Sequence, residues 1–235
     1  MIRRPPRSTL DRSSAASDVY KRQAMRPPTA IGTDADLNLL DAIKVASSTD
    51  SIAKGVLVVL NNEIHCARDV YKSNTFRVET FKPNELGFLG YSDSDGKVVF
   101  YRTPIRKHTA DTPFNVDQMG DLPRVDIVYS YAGADGLLIN AVRNSESKGL
   151  ILAGFGGGTF PPLIMAAAIE TVQQGIPVVL ASRSTAGRVV LTPEKVKHGF
   201  IVSDNLMPQK ARILLMLSLA FTNDRAKMQE MFEQY

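Results

Sequence analysis

The stretch Arg68-Asp-Val-Tyr-Lys-Ser-Asn-Thr75 sets one lysine, Lys72, among small hydroxyl and amide side chains. Such a lysine has two readings. Solvated, it is a surface charge; stripped of water, its amine gives up a proton more readily and can act as a base or orient a polar network. A second stretch, Gly154-Phe-Gly-Gly-Gly-Thr159, falls between a strand and a helix, where backbone N–H groups can cradle an anion. It departs from the dinucleotide fingerprint, because Thr159 stands where the third glycine belongs and no acidic residue ends the next strand. Arg183, just after that strand, keeps an NADP-binding reading open; the plain alternative is a tight turn that lets helix and sheet approach. His108 has no sequence neighbour that would make it a base or a ligand, and the single cysteine, Cys66, cannot form an internal disulfide.

These residues need an α/β scaffold to hold them. Gly55 and the run Val-Leu-Val-Val-Leu at 56–60 read as an interior parallel strand covered on both faces. Before it, Thr33 or Asp34 caps a helix whose apolar positions Leu37, Leu40, Ile43 and Ala46 recur at helical spacing. Residues 88–91 and 97–102 flank Ser-Asp-Ser-Asp-Gly and read as a hairpin, with Gly96 supplying the positive φ. Residues 102–123 carry Pro104, Pro113 and Pro123 without periodicity and read as a connection. Beyond them, strands at 125–131, 150–153 and 177–181 alternate with helices at 135–144 and 161–174, the pattern of βαβ units and a parallel sheet. Pro161 suits a first helical turn, where its missing N–H costs little. Two helices, 208–221 with Ile213, Leu214, Leu217 and Phe221 on one side and then 224–232, close the chain, and Met216, Met228 and Met231 read as core fillers.

With 235 residues, 44% hydrophobic and 22% charged, the chain can bury one large core or two ordinary ones. The longest apolar run, at 213–221, falls well short of the roughly 18 residues that cross a bilayer. The formal charge of +4 would invite a nucleic-acid or membrane partner, but the whole excess lies in residues 1–23. Residues 24–235 balance at 22 basic and 22 acidic side chains, which argues for neither partner. Residues 1–23 are rich in Arg and Ser with almost no apolar periodicity. They read better as the translation of a sequencing-library adapter than as a natural tail, Asp18-Val-Tyr-Lys-Arg-Gln23 being what a transposon end encodes. The natural chain is then expected to enter at Ala24.

Four blocks, taken in order, carry a resemblance: Ala24-Met-Arg-Pro, the Lys72 stretch, Arg102-Thr-Pro-Ile-Arg-Lys-His-Thr-Ala-Asp-Thr-Pro-Phe114, and Pro208-Gln-Lys-Ala-Arg212. Together they resemble the bacterial-type L-asparaginases, nearer the secreted type II members, across essentially all of residues 24–235. The resemblance implies an amidohydrolase that converts L-asparagine, or L-glutamine, to the acid and ammonia by threonine nucleophiles, without cofactor or metal. It further implies a homotetramer of intimate dimers and a periplasmic or secreted compartment. Residues 24–101 would be the C-terminal part of a larger N-terminal α/β domain, 102–123 the linker, and 124–235 a smaller C-terminal α/β domain with a parallel sheet.

By the same resemblance Lys72 is the catalytic lysine, and Ala24 matches a position whose backbone lies near the substrate amide. Gly157 matches a loop that reaches the active site of the dimer partner, often with an asparagine there. Glu194 is the counterpart of a glutamate that touches the substrate amine from the partner subunit. The family's two threonines sit in Thr-Gly-Gly-Thr and Gly-Thr-Asp-Thr motifs, both upstream of the Ala-Met-Arg-Pro block, and neither motif occurs in this chain. The chain alone is therefore expected to be an inactive fragment, with apolar faces exposed. The alternative is a non-catalytic α/β module that binds a small molecule or NADP.

Overall fold

The computed structural model describes residues 24–115 and 118–235; the adapter-like stretch 1–23 lies outside the described residues. The chain divides between Thr112 and Pro113 into two compact units.

The first unit opens with α1 (Ala35–Ser47), followed by β1 (Leu57–Leu60), β2 (Glu63–Cys66), β3 (Tyr71–Lys72), β4 (Phe81–Lys82), β5 (Gly90–Ser92) and β6 (Val98–Phe100). The run at 56–60 is a strand, but an edge strand of an antiparallel sheet in the order β1-β2-β5-β6, and not an interior parallel one. The reason lies just after it. Asn61 and Asn62 both adopt positive φ, 51° and 63°, and turn the chain straight back so that Leu60 pairs with Glu63. A two-residue turn of that hand suits the twist of antiparallel neighbours. The 92–96 hairpin forms as expected, Tyr91 pairing with Val99 across a turn in which Gly96 has φ +79°.

α1 corrects a second expectation. Its apolar positions Leu37, Leu40 and Ile43 are exposed, and the buried face is Asn38, Asp41 and Val45. Polar groups on the sheet decide which face turns inward. Asp41, 1% exposed, accepts from the Ser92 hydroxyl at 3.0 Å and the Asn62 amide at 3.0 Å, and pairs with Lys44 at 3.2 Å. The Asn38 side-chain oxygen accepts from the Asn61 backbone N–H at 2.9 Å. Four hydrogen bonds that are unavailable to a leucine stripe outweigh its transfer energy, since unmade bonds to buried groups are costly. Around this network Val45, Val59 and Ile64 form one small apolar cluster, and Val58, Leu60 and Val70 form another on the opposite sheet face.

The second unit runs β7 (Val125–Tyr129), α2 (Leu137–Arg143), β8 (Gly149–Gly154), α3 (Pro162–Gln173), β9 (Val178–Ser182), α4 (Pro193–Lys197), β10 (Ile201–Val202), α5 (Pro208–Phe221) and α6 (Arg225–Gln234). Its strands form the expected parallel sheet, in the order β10-β9-β8-β7. β8 is buried throughout, as a strand covered on both faces must be. On one face Leu150, Leu152, Leu180 and Val202 meet Ile139 of α2 and Ile164, Ala168 and Val172 of α3. On the other, Ile151, Val179 and Ile201 meet Ala211, Leu214 and Leu215 of α5 and Met228 and Phe232 of α6. Two details move. The N1 proline of α3 is Pro162, with Pro161 at the cap, and α5 buries Ala211, Leu214, Leu215 and Ser218 while Phe221 is exposed. Met228 and Met231 are buried core residues, as expected.

Candidate functional site

In the first unit, Lys72 ends the two-residue strand β3, which pairs antiparallel with β4 so that Lys72 lies opposite Phe81. Its side chain is exposed, while Val70, two residues before it, is buried at 7%. The residues that follow explain why the lysine is held and not loose. Thr80, fully buried, accepts at its backbone oxygen from both the N–H and the hydroxyl of Ser73, each at 2.8 Å. The Thr80 hydroxyl accepts from the Asn74 N–H at 2.8 Å and donates to the Asn74 carbonyl. Asn74 in turn accepts at its side chain from the Phe76 and Arg77 N–H groups, at 2.9 and 3.2 Å. Ser73 and Asn74, the small polar residues beside the lysine, thus work as a clasp that fixes the chain leaving it.

Ala24 is half-buried and lines an open cleft of about 1030 Å³ with residues 25–28, the Asn38 and Val45 side of α1, and β1. The segment is pinned by Asp34, whose carboxylate accepts from the Met25 N–H at 2.9 Å and the Arg26 N–H at 2.9 Å. These bonds hold the Asp34 carboxyl below its ordinary value even though burial pushes it up. Asp34 therefore does not cap α1 with its side chain; Thr33 does part of that work, accepting from the Ala35 N–H at 3.2 Å. Gly32-Thr33-Asp34-Ala35 is one residue away from a Gly-Thr-Asp-Thr motif, and the structure uses it as this local clasp. Lys72 is not among the residues that line the Ala24 cleft. His108 lies against Gly55, and its Nδ1 is 2.7 Å from the adjacent Thr109 hydroxyl, a contact between chain neighbours.

In the second unit, the Gly154–Thr159 turn stands at the carboxyl end of β8, where ligands of parallel sheets bind. Gly156 and Gly158 need positive φ, 45° and 85°; Gly157 between them does not. A Cβ on Gly157 would meet nothing nearer than the Arg188 carbonyl at 4.0 Å, so the backbone leaves room for a side chain to start there. Glu194, exposed, is the second residue of α4 and accepts at its backbone oxygen from the His198 N–H. Its neighbour Lys195, outside every motif in the chain, reaches the glycine turn: its ammonium donates to the Gly157 carbonyl at 3.2 Å and to the Val190 carbonyl at 2.8 Å. Burial pulls the Lys195 amine below its ordinary value. Arg183, the residue that kept an NADP reading open, is engaged within the fold. It stacks 4.2 Å over the Phe155 ring and donates to the Ser130 carbonyl at 2.7 Å. Among the described residues no cluster of three or more His, Cys, Asp or Glu side chains could hold a metal, and no helix is long and apolar enough to cross a membrane.

Known proteins match both units in order. The family described as "Asparaginase, N-terminal" matches residues 23–106, and the "Glutaminase/Asparaginase C-terminal domain" matches residues 124–232. L-asparaginase 2 of Escherichia coli is 41% identical over 214 residues, 90% of this chain and 61% of its own length. The probable periplasmic L-asparaginase of Haemophilus influenzae is 40% identical over 90% of this chain and 61% of its own. The chain thus spans about three fifths of the length of these curated relatives. The crystal structure of a probable cytoplasmic L-asparaginase from Campylobacter jejuni superimposes with a TM-score of 0.87 at 40% identity, over 90% of this chain and 69% of that one. The names of these relatives place them in different compartments. Two domain families matched in sequence order, and one backbone shared across nine tenths of the chain, establish that the chain belongs to the asparaginase family.

Proposed function

We propose that the chain is the lysine-bearing portion of an amidohydrolase that cleaves the side-chain amide of L-asparagine, with L-glutamine the next substrate in order. The observation that carries this is the Lys72 stretch: the motif is intact, and the Ser73–Asn74–Thr80 clasp holds the lysine at the end of β3 with its side chain exposed. In the reaction a threonine hydroxyl attacks the carboxamide carbon, ammonia leaves, and water releases the acid from the acyl-enzyme. The lysine serves that attack by taking up the hydroxyl proton or by orienting the hydroxyl and its carboxylate. Gly157 and Glu194 belong to the opposite wall, presented to the Lys72 site of a second copy of the chain. Because neither threonine motif is present, the 235-residue chain alone turns over no asparagine.

The test is a chimera. The segment of the E. coli relative that precedes its counterpart of Ala24 is joined to residues 24–235, and ammonia release is measured from L-asparagine and L-glutamine. The chimera is expected to hydrolyse asparagine, and Lys72→Met to lower its kcat by about a hundredfold or more. A folded, oligomeric chimera without turnover, or one indifferent to Lys72→Met, refutes the proposal. So does turnover by the 235-residue chain alone at a rate near that of the chimera.

A further inference from the structure

The Gly154–Thr159 turn closes on itself. The Phe155 carbonyl accepts from the Gly158 and Thr159 N–H groups at 3.0 and 2.9 Å, and the Phe155 N–H donates to Thr159 at 3.0 Å. This pattern uses the carbonyls at both ends of the turn and leaves that of Gly157, at its exposed tip, to be satisfied from outside. Three consecutive glycines also give the tip more backbone freedom than any other tripeptide, so its conformation depends on what is fastened to it. Lys195 is what is fastened to it, and through the same ammonium to Val190.

The far end of that link is rigid. Val189 is 1% exposed and forms an isolated bridge with Asp204, its N–H donating to the Asp204 carbonyl at 2.9 Å. Arg188 forms an ion pair with the same Asp204, which is itself buried just past the end of β10. Val189 also presses on the turn directly, since its Cγ1 lies 2.9 Å from where a Cβ on Gly158 would stand. Lys195 is placed for this by its own element: its N–H is capped by the Thr192 hydroxyl at 3.4 Å and its carbonyl accepts from Phe200 at 3.0 Å. The ends of β8 and β10 are thereby joined through a single side chain.

We propose that Lys195 is a positioning residue: its ammonium locks the tip of the Gly156–Gly158 turn to the Val190 strap, and so fixes where Gly157 meets the amino-acid end of the substrate. The last clause rests on the reading of Gly157 as a substrate contact; the lock does not. A solvated lysine would make neither bond, and a lysine serving only the C-terminal end of α4 would point to the carbonyls of its own helix. Its ammonium goes instead to carbonyls outside α4.

The 235-residue chain tests the lock by hydrogen exchange. Lys195→Met is expected to speed exchange of the Gly158 and Thr159 amides by about tenfold, while Lys195→Arg, which keeps charge and donors, stays within about threefold of the parent. Exchange in Lys195→Met that matches the parent overturns the lock. A reading that needs no variant is the Lys195 ammonium resonance in ¹⁵N-labelled parent protein near neutral pH. A resolved, slowly exchanging signal supports the lock, and a signal lost to solvent exchange overturns it. In the chimera, Lys195→Met is expected to raise the KM for L-asparagine about fivefold with kcat nearly unchanged. Faster exchange with an unchanged KM leaves Lys195 as the holder of the turn and removes Gly157 as a substrate contact.

Discussion

His65 is the group whose protonation should weaken the first unit. It sits in β2 opposite Val58, on the sheet face that carries Val58, Leu60 and Val70, and is fully buried. The Phe88 ring meets it edge-on at 6.4 Å, and neither ring nitrogen has a hydrogen-bond partner. Glu63 Oε2 is 3.3 Å from Nε2, yet the approach lacks hydrogen-bond geometry. Burial, with the nearby Lys82 charge adding to it, pushes the imidazole from 6.5 down to about 4. The two observations pull in opposite directions, because a carboxylate so close would favour the imidazolium if the pair were formed. Desolvation dominates, since the contact is undirected and the ring is fully buried.

The sign follows from linkage. The unfolded chain binds the proton near pH 6.5 and the folded one only near pH 4, so stability is intact above about pH 6.5 and falls as pH drops through that window. One unit of difference is about 1.36 kcal/mol, which gives a loss of roughly 2 kcal/mol between pH 7 and pH 5 and about 3 kcal/mol by pH 4. Urea unfolding at a series of pH values, followed by exchange of the β1–β2 amides, reads this slope. His65→Gln, which cannot titrate in this range, isolates the contribution of His65 from that of the acidic residues. Parallel stability curves for parent and His65→Gln between pH 7 and pH 5 would refute the reasoning. An NMR titration placing His65 at or above 6.5 would do so independently, and would mean that the Glu63 pair forms in solution.

Two further substitutions probe constraints set by the backbone. Gly90→Ala places a Cβ 2.0 Å from the Val99 carbonyl oxygen and 2.9 Å from the Phe100 Cα, both backbone atoms of the paired strand. It should cost about 3 kcal/mol, the upper end for overpacking, and lower the urea midpoint of the first unit; a midpoint within error of the parent would show that β5 and β6 slide apart freely. Gly157→Asn meets no such barrier, because its φ is not in the left-handed region and the nearest atom is 4.0 Å away. Its melting temperature should match the parent, corresponding to less than about 0.5 kcal/mol. In the chimera it should lower the KM for L-asparagine, and a raised or unchanged KM counts against Gly157 as a specificity position.

Some of this was open to a reader of the sequence and some was closed, and the difference is physical. The second unit declares itself because β8 and β9 are buried on both faces, so Leu150-Ile-Leu-Ala153 and Val178-Val-Leu-Ala181 must be uniformly apolar, whatever helices cover them. β1 has the same uniform composition but lies at an edge, and only the two left-handed asparagines after it distinguish the two cases. α1 misleads for the converse reason. Hydrophobic periodicity assumes that the inward face is the apolar one, and here Asp41 and Asn38 have hydrogen-bond partners on the sheet that the leucines cannot use. The candidate site divides along the same line. Lys72 and Gly157 are legible as candidates because they sit in stretches whose neighbours are constrained with them, the clasp in one and the glycine turn in the other. Lys195 is not, since its partners are two backbone carbonyls, one of them 38 residues away, and a carbonyl has no residue type. Any lysine or arginine of suitable reach would write the same link. What identifies such a residue is the unsatisfied acceptor it answers to, and that acceptor exists only once the chain has folded.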